Sequence, residues 1–221
     1  MRFKEYSELC FSDAYMFEKV LLHNPNLCKR VLEVLLSLEI ERIILLTVIE
    51  RKDHWNDFLG EILYVSFETW NGEHYSVKLA FDGVEEFRHH NYFVDLMLVD
   101  DYSTSRKNHK TRYLALGLKD VFKRNIPFYN FRYTCENCPD LCKSVDTELI
   151  YAYVSPELSG ISDECRALYM YLCYNIKGSQ LTKDIDKAVK KLKKDSNMED
   201  DYMEKMVEHS MMFFDDEDDD C

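Results

Sequence analysis

The sequence predicts an α/β or α+β fold, because apolar residues recur at helical spacing near both ends and alternate, or run continuously, through the middle. Leu27, Val31, Val34, Leu35 and Leu38 form the stripe of an amphipathic helix. Residues 62–70 and 73–81 alternate around Asn71-Gly72 and read as a β-hairpin. Beyond Ser162 the helical period returns.

Ser12 or Asp13 can cap a first helix carrying Phe17, Val20 and Leu21, which Asn24-Pro25-Asn26 ends before the second helix begins. Residues 43–49 are a β-branched run of strand composition. The hairpin leaves two registers open. A two-residue turn pairs Trp70 with Glu73 and Tyr64 with Leu79, whereas a three-residue loop ending in a left-handed Gly72 pairs Thr69 with Glu73 and Tyr64 with Lys78. Residues 84–101 read as a long helix, and residues 103–110 as a polar, basic loop. Strands are expected at 113–118, 128–133 and 149–154. Three helices then follow, marked by Ala167, Leu168, Tyr171 and Leu172, by Ile185, Val189 and Leu192, and by Tyr202, Met203, Met206 and Val207.

The chain has 221 residues with 46% hydrophobic and 14% aromatic content, enough for a sizeable core. With 28 basic against 41 acidic side chains the net charge is −13, and the six acids at 215–220 supply nearly half of it. Such a surface does not attract nucleic acid globally, since backbone binding needs Lys and Arg to displace counterions. Any DNA site must be a local patch. No apolar run approaches the ~20 residues of a membrane span, and the first residues lack an apolar leader segment, so a cytoplasmic protein with reduced thiols is expected.

Cys135, Cys138 and Cys142 have zinc-like spacing but no second cluster to complete a tetrahedral set; they are weak metal candidates against a reading as ordinary loop cysteines. His89 and His90 cannot share one helix face and read as surface residues. Arg106, Lys107, Lys110 and Arg112 form the better phosphate-binding candidate, placed in a loop. Lys187, Lys190, Lys191, Lys193 and Lys194 lie near a helix C-terminus, where they complement the macrodipole without a ligand. The acidic end reads as a solvated, disordered tail. There is no phosphate-cradling glycine loop and no nucleophile elbow.

Several collinear blocks carry a resemblance. Asp13-Ala14-Tyr15-Met16-Phe17, then Leu27-Cys28-Lys29 and Ile40-Glu41-Arg42-Ile43, then residues 113–118 followed by Ile126-Pro127-Phe128-Tyr129-Asn130-Phe131, are similar to blocks of the PD-(D/E)XK nuclease family transposases, related to recombination-promoting nucleases. Residues 164–172, Ala188-Val189-Lys190 and Asp201-Tyr202-Met203 resemble its C-terminal helices, so the likeness spans about residues 12–206. The resemblance implies a restriction-endonuclease-like core, a mixed central sheet flanked by helices, over 1–158, C-terminal helices packed on it over 159–213, and the tail at 214–221. It also implies the three-residue hairpin loop.

That family holds Mg²⁺ with a strand carboxylate and a Glu-x-Gln or Glu-x-Lys on the next strand, because Mg²⁺ demands hard oxygen ligands. Aligned on Asn71-Gly72 and Tyr75-x-Val77, the three positions fall at Tyr64, Lys78 and Ala80, and none is kept; the family's helix arginine falls at Asn91, ahead of Tyr92-Phe93. Asp13 is the retained acid. The expectation is a catalytically degenerate nuclease-like protein that needs no cofactor and acts by binding, as a regulator or inhibitor of another nuclease or defence complex in a mobile-element context. Its expected partner is a basic protein such as a nucleic-acid-binding effector, with DNA as runner-up, no membrane, and a homo-oligomer left open. One alternative is an active Mg²⁺-dependent DNA endonuclease with migrated carboxylates, Glu68 and Asp82 first among Glu61, Glu68, Glu73, Asp82, Glu85 and Glu86. Another is a zinc-binding adaptor.

Overall fold

A computed structural model describes residues 4–52, 58–81, 109–132, 137 and 147–212. Its described strands form one mixed sheet in the order β1-β2-β3-β4-β6-β5. They are β1 (Ile40–Lys52), β2 (Phe58–Thr69), β3 (His74–Phe81), β4 (His109–Gly117), β5 (Phe128–Arg132) and β6 (Thr147–Tyr153). β1, β2 and β3 are an antiparallel meander, β4 pairs parallel with both β3 and β6, and β5 closes the far edge antiparallel to β6. The α/β expectation is met: helices pack against a mixed sheet. The helix expected at 84–101 lies outside the described residues.

Helix α1 (Ala14–Leu22) starts after Asp13, whose backbone is extended but whose carboxylate turns back toward Cys10 instead of capping its own helix. Helix α2 (Pro25–Leu36) begins with proline at its first turn, where the missing N–H costs nothing, and ends at Ser37 in the left-handed region. Ser162 caps α3 (Asp163–Tyr174) by accepting from the Cys165 amide at 3.1 Å. Ser179 and Thr182 form a reciprocal capping box at the start of α4 (Gln180–Leu192), and α5 (Ser196–Met212) follows.

Strand alternation gives the sheet two distinct faces. Leu63, Val65, Phe67, Val77, Leu79, Phe81, Leu114, Leu116, Ile150 and Ala152 face the helices and join one buried cluster with Phe17, Val20, Leu32, Leu168, Ile185 and Leu192. Residues on both sides of position 158 therefore share a core. Tyr64, Ser76, Lys78, Tyr113, Leu149 and Tyr151 alternate to the opposite face, where Lys78 is 5% exposed and Tyr151 fully buried. Burial on both faces explains why β4 and β6 read as near-continuous apolar runs.

The hairpin takes the three-residue loop. The Thr69 amide donates to Glu73 O at 3.0 Å and the Gly72 amide to Thr69 O at 2.9 Å, with Gly72 at φ 78°. Tyr64 consequently opposes Lys78, with Leu63, Val65 and Val77 on the other face.

The ends of the chain's described part are tied together. Tyr6 donates to Leu192 O at 2.9 Å, Tyr15 to Met198 O at 2.7 Å, and Tyr202 to Lys4 O at 2.9 Å. The Tyr15 and Tyr202 rings meet edge to face at 5.0 Å. No helix among the described residues is long and apolar enough to cross a membrane.

Gly117 ends β4 where a Cβ would come within 2.7 Å of Tyr151 Cζ, and the Tyr151 hydroxyl is held by Lys119 O at 2.6 Å. Gly117→Ala is expected to destabilise by about 1–3 kcal/mol through overpacking, read as a lowered urea midpoint, with Gly117→Ala/Tyr151→Phe recovering part of the loss. Equal midpoints for the wild type and Gly117→Ala would contradict this packing.

Candidate functional site

The face turned away from the helices places a hydroxyl-and-ammonium strip at the centre of the sheet. Tyr64 Oη and Ser76 Oγ share a hydrogen bond of 2.7 Å, and Lys78 Nζ lies 5.2 Å from the Tyr113 ring centroid, since β4 brings Tyr113 beside Lys78. Ala80 follows on the same face beside Ala115. The three positions where a Mg²⁺-dependent nuclease needs hard oxygen ligands thus carry a phenol, an ammonium and a methyl group. A cation gains nothing from an ammonium at ligand distance, so these side chains do not fit a divalent metal.

Asp13 is not brought to that strip. It lies at the start of α1, on the helix side of the sheet, where it accepts from the Cys10 amide at 2.7 Å and from the Cys10 thiol at 3.0 Å and pairs with the Lys4 ammonium. Partial burial pushes its pKa up, but the Lys4, amide and thiol hydrogen bonds outweigh that and hold it below the ordinary value. Glu68 stands toward the hairpin turn, on the same face as Tyr64 but four residues along, and receives Arg42 Nε at 3.0 Å and Nη2 at 2.8 Å. It is a cross-strand ion-pair partner at the hairpin end of β2.

Two of the four phosphate-binding candidates prove to be strand residues. Lys110 and Arg112 lie on β4, not in a loop, because the strand starts at His109, earlier than its apolar run suggests. Alternation sends both to the helix-side face, where a row of charges runs from the hairpin loop across β4, β6 and β5. Lys110 Nζ donates to Glu73 at 2.5 Å and sits 5.4 Å from the Tyr75 ring centroid; Tyr75 Oη donates to Glu73 at 3.0 Å. Arg112 lies 5.0 Å from the same ring and its Nε pairs with Glu148 at 3.1 Å, while Arg132 Nε reaches Glu148 at 2.7 Å. Phe67 stacks beneath Tyr75 at 5.3 Å. The Lys110 hydrogen bond, ahead of those from Tyr75 and Asn71, lowers the pKa of Glu73. A phosphate arriving here must compete with two carboxylates already in place.

Arg106, Lys107, Asp82, Glu85, Glu86, His89, His90, Asn91, Tyr92, Phe93, Cys135, Cys138, Cys142 and the acids at 215–220 fall outside the described residues. Glu61 is on β2, paired with Glu50. Among the described residues no group of three His, Cys, Asp or Glu is arranged to hold a metal.

Two surfaces were not singled out by sequence reasoning. On α5, Glu199, Asp200, Met203, Glu204 and Val207 are exposed, so an acidic face surrounds two apolar side chains spaced one turn apart. Its signal was the helical spacing of Met203 and Val207 among acids, hidden because that spacing reads equally as a core stripe. The second is the loop after β4, built on Asp120, which accepts from the amides of Lys123 at 2.9 Å and Asn125 at 2.6 Å. A lone Asp before Asn125-Ile126-Pro127 is a turn signal only.

Comparisons with protein families, with curated proteins and with solved structures return no match to this chain.

Glu148→Gln is expected to cost about 1–3 kcal/mol, because Arg112 and Arg132 lose their shared carboxylate; chemical denaturation measures it. The phosphate affinity of that variant should rise over the wild type, read by calorimetric titration with inorganic phosphate. For Asp13 the sign follows from its depressed pKa: the stabilisation is full above the unfolded value of 3.8 and is lost as pH falls through the lower, folded value. Asp13→Asn should therefore flatten the stability profile below about pH 4, and an unchanged acid limb would remove Asp13 from the account.

Proposed function

We propose that this chain is a catalytically degenerate relative of the PD-(D/E)XK nuclease family transposases, acting by binding as a regulator or inhibitor of another nuclease or defence complex in a mobile-element setting. One observation carries the reading. The hairpin register sets Tyr64 opposite Lys78, with Ala80 beyond it on the same face, so the aligned metal-ligand positions converge in space yet offer no carboxylate. The mixed sheet flanked by helices is compatible with it, that being the coarse arrangement the resemblance implies.

Binding in place of cleavage accounts for the surface charge. The net charge of −13 and the acidic face of α5, with Met203 and Val207 at its centre, favour a basic protein partner over nucleic acid. A basic groove that ordinarily holds nucleic acid has the matching chemistry. Complementary charge chiefly accelerates encounter, while the apolar pair supplies contact that salt does not screen. In this reading the protein works without a metal in the cytoplasm.

The test is direct. Purified protein with Mg²⁺ or Mn²⁺ should leave supercoiled DNA intact and show no Mn²⁺ binding by calorimetry. Nicking that survives purification and disappears in Glu68→Gln or Asp82→Asn would establish a migrated centre instead. Charge reversal on α5 by Glu199→Lys/Asp200→Lys/Glu204→Lys should weaken retention of an arginine-rich polypeptide at least about tenfold at low salt, and preferential retention of duplex DNA by the unaltered chain would overturn the partner assignment.

A further inference from the structure

The tip of the β2–β3 hairpin holds one large aromatic side chain out in water on a braced backbone. Side chains of the loop itself supply the bracing. The Thr69 hydroxyl shares its proton between Asn71 Oδ1 and Glu73 O, the latter at 3.1 Å, and the Glu73 amide donates to Asn71 Oδ1 at 3.3 Å. Beyond Ile40 and Thr69, the last pair of the β1–β2 ladder, the Trp70 amide donates to Glu39 O at 3.4 Å. That bond extends the ladder by one step and sets Trp70 beside Glu39. The Trp70 side chain is nevertheless 67% exposed, more than any other large apolar side chain among the described residues. Its indole makes no ring, cation or hydrogen-bond contact with a described residue.

An indole left in water forgoes the gain of burial, and tryptophan is among the residues that contribute most where protein surfaces bind one another. The charges around Trp70 select the ligand. Glu39 and Glu41 are exposed and form no ion pair with a described residue. The cations nearby are already answered, Arg42 by Glu68 at 2.8 Å and Lys29 by Glu33 at 3.9 Å. The tip thus keeps uncompensated carboxylates, one of them on the residue alongside the indole.

A π face next to a carboxylate matches a guanidinium, whose plane stacks on the ring while its N–H fork bonds the acid. A lysine ammonium meets the acid equally well but lacks the plane that stacks. Nucleic acid could stack a base on the indole, but its phosphates would face carboxylates with no free cation to meet them.

We propose that Trp70 and Glu39 form an arginine-binding site through which the hairpin tip engages a basic protein partner. The assignment rests on the partner reading above and adds where on the chain, and through which residue type of the partner, contact is made. It uses none of the side chains of the α5 face. Because Thr69 and Asn71 order the tip in advance, a ligand binding there meets little conformational cost.

The full-length chain is titrated with tetra-arginine and with tetra-lysine, followed by calorimetry and by the indole N–H resonance that disappears in Trp70→Phe. That resonance should shift with tetra-arginine, and more than with tetra-lysine at equal occupancy. Trp70→Leu keeps an apolar side chain at an exposed position but removes the ring; it should weaken tetra-arginine binding at least about threefold and change tetra-lysine binding less than about twofold. Glu39→Gln should weaken both. Tetra-arginine bound with a silent Trp70 resonance, or with unchanged affinity for Trp70→Leu or Glu39→Gln, overturns this site and leaves the partner reading standing. Failure of both basic peptides to bind overturns the partner reading and this site with it. A larger Trp70 shift with a single-stranded tetranucleotide than with tetra-arginine would make the tip a base-stacking site and equally overturn the assignment.

Discussion

The register of the β2–β3 hairpin is the constraint on which the other features rest. In a strand the side-chain period is two, so a slip of one residue on β3 would exchange its entire inner and outer sets. Val77, Leu79 and Phe81 would leave the helices, and the Lys78 ammonium would enter an apolar cluster at a cost far above the value of any single contact. Gly72 prevents that slip by adopting a left-handed conformation that closes the loop at three residues. β4 then aligns in parallel on β3, and its own alternation places Tyr113 on one face and Arg112 on the other.

What the sequence disclosed and what it withheld divide along physical lines. Helical spacing marked α1 to α5, because periodic burial depends on local geometry that a short window contains. Strands were found by their apolar centres but misjudged at their ends: β1 runs from Ile40 to Lys52, with register shifts near Ile43 and Leu45 that turn Ile44 outward at 52% exposure. A bulge on an edge strand has no compositional mark. Lys110 and Arg112 looked like a loop patch because charges on a strand are uncommon; their partners, Glu73 and Glu148, lie 37 and 36 positions away and become neighbours only through parallel pairing. The polar strip at Tyr64 and Lys78 was located by a residue-by-residue alignment, and its register followed from the loop. The α5 face and the Asp120 loop went unread because exposure, not residue type, makes them surfaces.

The charge of the protein is organised more finely than its total suggests. Several positive side chains are paired across the fold: Lys19 with Asp201, Arg30 with Asp184, Arg42 with Glu68 and Lys110 with Glu73. Each pairing joins segments distant in sequence, so the ions help specify which elements meet, although exposed pairs of this kind add little to stability. Among the described residues exposed acids gather on α5, at Glu199, Asp200 and Glu204, and the sequence after it adds six more acids. A surface can therefore be strongly acidic in the far field and still present a local cationic loop, at Lys119, Lys123 and Arg124.

The tyrosine ties between the first and last described segments set a schedule for the molecule's synthesis. Tyr6, Lys4 and Tyr15 find their hydrogen-bonding partners at Leu192, Tyr202 and Met198, 186, 198 and 183 positions downstream. The first two helices leave the ribosome with an apolar face that α4 has yet to cover, and at the usual pace of translation they wait on the order of ten seconds or more for it. During that interval the nascent chain must either be shielded or hold α1 and α2 loosely against one another. Contacts of such long sequence separation also place the protein among slow folders for its size. A chaperone-depleted translation system should thus expose a liability in this fold that equilibrium measurements on the finished protein never reveal.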